Sequence, residues 1–123
     1  MPVWAAEGLG GSSLSVVVAF DVDGTLEVGD PKGPIKLEEV KRLKEAGFTV
    51  GIVGAKEKVE GLLRGLDFYM EGDPFKEKNL KELMRRYRPK LAIYVADRPS
   101  DREAALKAGF CYVKPDDFKL GDL

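Results

Sequence analysis

Histidine is absent from this 123-residue chain, and cysteine occurs once, as Cys111. Without an imidazole, acid–base chemistry falls to carboxylates or lysines. One cysteine allows no intrachain disulfide, and with no histidine beside it a structural zinc site is excluded. Cys111 opens the last apolar segment and reads as a small buried residue. Glutamine is absent too, and Asn79 is the only asparagine. With abundant lysine and glutamate, this leans toward the composition of heat-adapted proteins, where labile amides are scarce. No apolar run approaches the roughly 20 residues that span a bilayer. Residues 1–13 lack the basic start of a secretory signal and read as a loose leader. Twenty lysines and arginines balance 21 aspartates and glutamates, a net charge of -1. That balance gives no overall pull toward nucleic acid or anionic membrane. The basic run Arg85, Arg86, Arg88 and Lys90 reads as a solvated helix face. The expectations are a cytoplasmic protein with no membrane partner, and nucleic acid is disfavoured as a ligand.

What is present is an alternation of apolar runs and helical patterns. Residues 15–20 are β-branched and apolar, as in a strand covered on both faces. Glycines and prolines from Gly24 to Pro34 mark a long turn region. A helix is predicted over 35–46, with Leu37, Val40 and Leu43 on one face and Gly47 closing it. A strand follows over 48–53, then a helix over 56–66 with Val59, Leu62 and Leu63 inward. A short strand at 68–70 leads to a helix over 79–87 carrying Leu80, Leu83, Met84 and Tyr87. A strand at 91–96, a helix at 99–108 and a strand at 110–113 complete the pattern. This predicts a single α/β domain over 14–123, a three-layer Rossmann-like fold with a mostly parallel five-stranded sheet. In the strand order 3-2-1-4-5, the exits of the first and fourth strands are neighbours, at the place where ligands bind such sheets.

Both exits are acidic. The first strand runs into Asp21-Val22-Asp23-Gly24-Thr25, and the fourth into Asp97, with Asp101 four residues on. An Asp-x-Asp-Gly segment alone is as readily a turn as a site. A second acidic exit beside it points to a carboxylate cluster, whose mutual repulsion needs a cation to offset it. Mg²⁺, with hard oxygen ligands and retained waters, suits such a set. One carboxylate can attack phosphorus, and a second can move the proton of the leaving oxygen.

The segment Phe20-Asp21-Val22-Asp23-Gly24-Thr25-Leu26 resembles the first motif of the haloacid dehalogenase-like superfamily of phosphohydrolases. Tyr94-Val95-Ala96-Asp97-Arg98-Pro99-Ser100-Asp101 and Glu103-Ala104-Ala105-Leu106-Lys107-Ala108-Gly109 extend the likeness from about Ser15 to Asp116. The resemblance implies that Asp21 is a nucleophile forming an aspartyl-phosphate. It implies that Asp23 is the general acid/base, with its backbone carbonyl on Mg²⁺. Asp97 would ligate the metal, Asp101 would support it or its waters, and Thr25 would orient the turn. The family's lysine, which neutralises nucleophile and phosphate, has two candidates. Lys76 lies in phase with Leu80, Leu83, Met84 and Tyr87, and Lys78 lies two positions off that phase.

Two departures stand out. Gly54 occupies the position of the family's phosphate-binding serine or threonine and can offer only its backbone N–H. Ala96 replaces the usual glycine before Asp97. The intervals 27–34 and 71–74 are too short for a cap domain, so the chain resembles capless members, which act on large phosphorylated substrates or cover the site with a neighbouring subunit. The expected function is a Mg²⁺-dependent phosphomonoesterase, acting on a phosphorylated small molecule or macromolecule, with a homo-oligomer as one way to cover the site. The alternatives are a phospho-ligand binding or regulatory module of low turnover, and a phosphotransferase.

Overall fold

The computed structural model describes residues 15–118; the predicted leader, with Trp4, lies outside them. Five strands form one wholly parallel sheet in the order β3-β2-β1-β4-β5. They are β1 (Val16–Phe20), β2 (Thr49–Gly54), β3 (Phe68–Glu71), β4 (Leu91–Val95) and β5 (Cys111–Val113). Three α-helices accompany them: α1 (Leu37–Glu45), α2 (Lys76–Tyr87) and α3 (Pro99–Ala108). The fold class and strand order are those expected from the sequence.

β1 is buried along its whole length. Side chains alternate across a strand, and the two halves of β1 serve two cores. Val16, Val18 and Phe20 pack with Val40 and Leu43 of α1, together with Val50, Ile52, Val59 and Leu63. Val17 and Ala19 pack with Leu80 and Leu83 of α2 and with Ala105 and Ala108 of α3. Helices therefore cover both faces, which is why the strands are continuously apolar. Helix α3 ends at Gly109, whose φ of 91° closes it in the left-handed conformation.

The connection from β2 to β3 corrects the predicted helix over 56–66. Only Lys56–Lys58 forms a short 3-10 turn. Val59 and Leu63 still reach the core, but Leu62 is 62% exposed. Two glycines lie in this segment, and Gly65 takes a φ of 84°, incompatible with a helix. Each interior glycine costs about 1 kcal/mol relative to alanine, so tertiary burial of two side chains wins over helical periodicity here. Cys111 is a second correction: it is exposed, because edge strand β5 turns that position to solvent. Helix α2 starts three residues before the predicted Asn79, and that earlier start shapes the site. Among the described residues, no helix is long and apolar enough to cross a membrane.

Candidate active site

The chain reverses its direction of travel across the sheet at β1 and β4, its central pair. Such a reversal leaves a crevice beyond the carboxyl ends of the strands. A cleft of about 600 Å³ lies there, lined by residues that include Asp21, Asp23, Gly54, Lys76, Asp97 and Arg98.

Asp21 follows β1 directly, and its N–H still donates to the Val95 carbonyl at 3.0 Å. The carboxylate is buried, with 5% of the residue exposed. Oδ1 accepts the Val22 N–H at 2.8 Å, and Oδ2 accepts Lys76 Nζ at 3.0 Å. Burial pushes the Asp21 pKa above its ordinary value and outweighs the downward pull of the Lys76 ammonium and the Val22 N–H.

Lys76 opens α2. Leu80 and Leu83, four and seven positions on, are fully buried, so the helix phase that seats them also turns Lys76 inward. Its Nζ donates to Asp101 Oδ1 at 2.5 Å as well as to Asp21, and lies 6.0 Å from the centre of the Tyr94 ring. Tyr94 is fixed beneath by a hydrogen bond from its hydroxyl to the Val53 carbonyl at 2.7 Å. Lys78 is exposed and lies in a separate depression beside Phe75 and Tyr69. Of the two lysine candidates, Lys76 is the one brought to Asp21.

Asp101, in the first turn of α3, is fully buried. Its Oδ2 accepts the Arg98 N–H at 3.1 Å, while Oδ1 takes Lys76 and lies 3.5 Å from Arg98 Nη2. The same Nη2 pairs with Asp73. The Asp101 carboxylate is thus committed to Lys76 and to the start of α3.

Asp23 is more open. Its Oδ1 accepts Lys58 Nζ at 2.6 Å and the Asp30 N–H at 2.9 Å. Partial burial acts to raise its pKa, but the hydrogen bonds from Lys58 and Asp30 and the nearby ammonium charges outweigh it, and Asp23 sits below its ordinary value. Gly24 takes a φ of 76°, and a Cβ there would stand 2.7 Å from Asp97 Oδ2. Glycine is required on both counts, and the exposed Asp97 packs directly against the Asp21–Gly24 turn. Thr25 fixes that turn through its backbone: its N–H donates to the Val22 carbonyl and its carbonyl accepts the Ile35 N–H. Its buried hydroxyl has no partner among the described residues.

Gly54 closes β2 beneath the nucleophile candidate. A Cβ at this position would overlap Asp21 Oδ1 and come within 3.0 Å of the Val22 nitrogen. Gly72, just beyond β3, packs on it, and a Cβ there would lie 2.9 Å from the Gly54 Cα. The Asp21 carboxylate thus occupies the space that a side chain at position 54 would take.

Among the described residues, no group of three or more histidine, cysteine, aspartate or glutamate side chains converges at metal-binding distance. Both Asp101 oxygens are occupied, by Lys76 and the Arg98 N–H, and Asp23 Oδ1 accepts Lys58 and the Asp30 N–H. The oxygens that face the cleft are those of Asp97, of Asp21, which also holds Lys76, and the backbone carbonyl of Asp23. The polar partners Lys58, Asp30, Asp73 and Arg98 escape sequence reasoning as site residues. They stand on turns or at a helix start, where no periodicity announces which way a side chain points.

Comparison of the chain with protein-family models, with curated proteins and with solved structures found no match. The fold and cleft define the coarser class: a Rossmann-like α/β domain of a kind compatible with hydrolase or phosphoryl-transfer chemistry.

Proposed function

We propose that this protein is a capless, Mg²⁺-dependent phosphomonoester hydrolase of the haloacid dehalogenase-like superfamily, acting through an aspartyl-phosphate on Asp21. The observation that carries this reading is the buried bridge from Asp21 through Lys76 to Asp101, at the floor of an open cleft. A buried ion network adds little stability over an apolar core of equal volume. Set at the strand exits and opening to solvent, it is better explained by chemistry than by folding.

The oxygen donors fit Mg²⁺ that keeps most of its waters, since this ion is commonly held by one or two carboxylates plus substrate phosphate. Asp21, Asp97 and the Asp23 carbonyl would hold it. A carboxylate has about four lone-pair sites, so Asp21 can serve a cation as well as Lys76. When bound, the ion supplies charge neutralisation for Asp21 and the phosphoryl oxygens.

In the first step an Asp21 oxygen attacks phosphorus, the bond from phosphorus to the ester oxygen breaks, and that oxygen takes a proton from Asp23. In the second step water attacks the aspartyl-phosphate, Asp23 takes the water's proton, and the bond from phosphorus to Asp21 breaks. Lys76 pulls Asp21 toward the ionised form, in part offsetting its burial, and meets the charge of the phosphoryl group. Asp101 orients Lys76. Burial holds the Asp21 pKa above its ordinary value, and the hydrogen bond from Lys58 holds that of Asp23 below its own. A substrate phosphate that engages Lys58 would ease Asp23 toward the protonated form it needs to donate.

The test is Mg²⁺-dependent phosphate release from an aryl phosphate, phosphosugars and nucleotides, with Asp21→Asn and Asp23→Asn as controls. Release by the wild type alone supports the reading. Equal release by Asp21→Asn overturns it. A second reading, a phospho-ligand binding module, is favoured by Gly54. Losing one oriented donor costs about 10²–10³ in rate. Saturable binding of phosphorylated ligands without turnover would decide for it, and product formation only with an added acceptor would decide for a phosphotransferase.

A further inference from the structure

We propose that Arg98 is a phosphoryl-binding residue, whose guanidinium takes the place of the side-chain donor that position 54 lacks. The inference rests on the phosphomonoesterase reading of the same cleft and adds to it a residue that binds the substrate's phosphate.

The exit of β2 offers no donor side chain, and with Asp21 in its present position a Cβ at position 54 would overlap Asp21 Oδ1. A second donor must come from another wall of the cleft. Arg98 lines that cleft together with Asp21, Lys76 and Asp97. Its backbone is fixed, because the N–H is bonded to Asp101 Oδ2 at the start of α3. Its head is free by comparison, with 53% of the side chain exposed. Arg98 Nη2 and Lys76 Nζ both approach a single buried oxygen, Asp101 Oδ1, so the two cationic heads are neighbours.

Their second partner is also shared. Asp73 pairs with Arg98 Nη2 and lies 3.9 Å from Lys76 Nζ, and its side chain is 55% exposed. An anion therefore already sits between the two cations, on the open side of the cleft. It is held by a half-exposed contact of the kind that contributes little to stability. A phosphate dianion carries more charge, and two of its tetrahedral oxygens form a fork that guanidinium matches in two-pronged geometry. Asp73 thus acts as a stand-in that a phosphoryl group displaces. The simpler alternative is that Arg98 and Asp73 form only a surface ion pair that ties the β3–α2 turn to α3. The two differ in the sign of one effect. A structural pair makes loss of Asp73 neutral or harmful to ligand binding, whereas a stand-in makes it favourable.

The test is calorimetric titration of the full chain with inorganic phosphate in saturating Mg²⁺, alongside hydrolysis of an aryl phosphate. Arg98→Ala should weaken phosphate binding about 10- to 100-fold, the range for a lost charge-assisted contact. Arg98→Lys, which keeps the charge and loses the fork, should fall between it and wild type. Asp73→Asn should bind phosphate more tightly than wild type. In hydrolysis, Arg98→Ala should raise KM at least as strongly as it lowers kcat. Equal phosphate affinity in wild type and Arg98→Ala overturns the proposal, as does weaker binding by Asp73→Asn or no binding by the wild type. Arg98-dependent phosphate binding without ester hydrolysis would retain Arg98 and remove the hydrolase reading. Hydrolysis with KM and phosphate affinity indifferent to Arg98 would do the reverse. Should Arg98→Ala fail to fold, the comparison of Arg98→Lys with Asp73→Asn carries the same opposite signs.

Discussion

Replacing Lys76 by methionine isolates the electrostatics of the site from its catalysis. Methionine keeps the length and apolar stem of lysine and removes the ammonium. Two carboxylates are then left without it: Asp21, which is 5% exposed, and Asp101, which is fully buried. Removing one partner of a buried ion pair costs about 3–5 kcal/mol, because a desolvated charge is stranded. Asp101 keeps the Arg98 N–H, so the loss should fall on Asp21 more than on Asp101. At about 4 °C per kcal/mol for a chain of this size, the melting temperature should drop by roughly 12 °C or more.

The deficit should depend on pH in a defined direction. Asp21 has a folded pKa raised above 3.8, chiefly by burial. An acid shifted upward binds protons more readily in the folded state, so its stabilising contribution is full below the unfolded value and is lost as pH rises through the folded one. In Lys76→Met the two influences of the lysine that lower Asp21 are gone. The loss deepens and extends to higher pH. Urea denaturation should therefore give the largest gap from wild type near neutrality and a narrowing gap toward about pH 4. Adding Asp101→Asn should recover part of the deficit, since only one buried carboxylate then remains uncompensated. A gap below about 1 kcal/mol at neutral pH, or one that does not narrow on acidification, would refute the buried bridge.

Gly24→Ala places a Cβ at positive φ and 2.7 Å from Asp97 Oδ2; a loss of about 1–3 kcal/mol by chemical denaturation is expected. Leu62→Ala should change stability by less than about 0.5 kcal/mol, whereas Leu63→Ala should cost about 2–5 kcal/mol. Equal effects would restore the helix predicted for that segment. Lys58→Ala removes the strongest influence that lowers Asp23, so the alkaline limb of the pH profile of kcat/KM, set by the Asp23 that must be protonated to donate, should move to higher pH. An unmoved limb would assign it to another group.

Much of this arrangement was legible before the structure. The apolar run 16–20 feeding Asp21 identified the central strand, and the strand order placed Asp97 beside it. The phase of Leu80 and Leu83 carried Lys76 inward even though the predicted helix began too late to contain it. Periodicity works where burial decides a side chain's direction. It failed over 56–66, where Gly65 needs a left-handed backbone and the chain buries Val59 and Leu63 without an α-helix. It failed at Cys111 because an apolar neighbourhood in sequence does not distinguish a central strand from an edge. The ion pairs of Lys58 with Asp23 and of Arg98 with Asp73 were invisible for a different reason. They join residues 35 and 25 positions apart through exposed side chains, and nothing in local pattern selects one exposed partner over another.

The central claim is that Asp21 carries the phosphoryl group. Its most direct test is acid-quenched peptide mass spectrometry after brief exposure of the Mg²⁺-loaded protein to an aryl phosphate that it hydrolyses, with Asp23→Asn used to slow breakdown of the intermediate. The account predicts a phosphoryl increment on the peptide containing Asp21, absent from Asp21→Asn. Phosphate release with the increment on another residue, or persisting in Asp21→Asn, would contradict it.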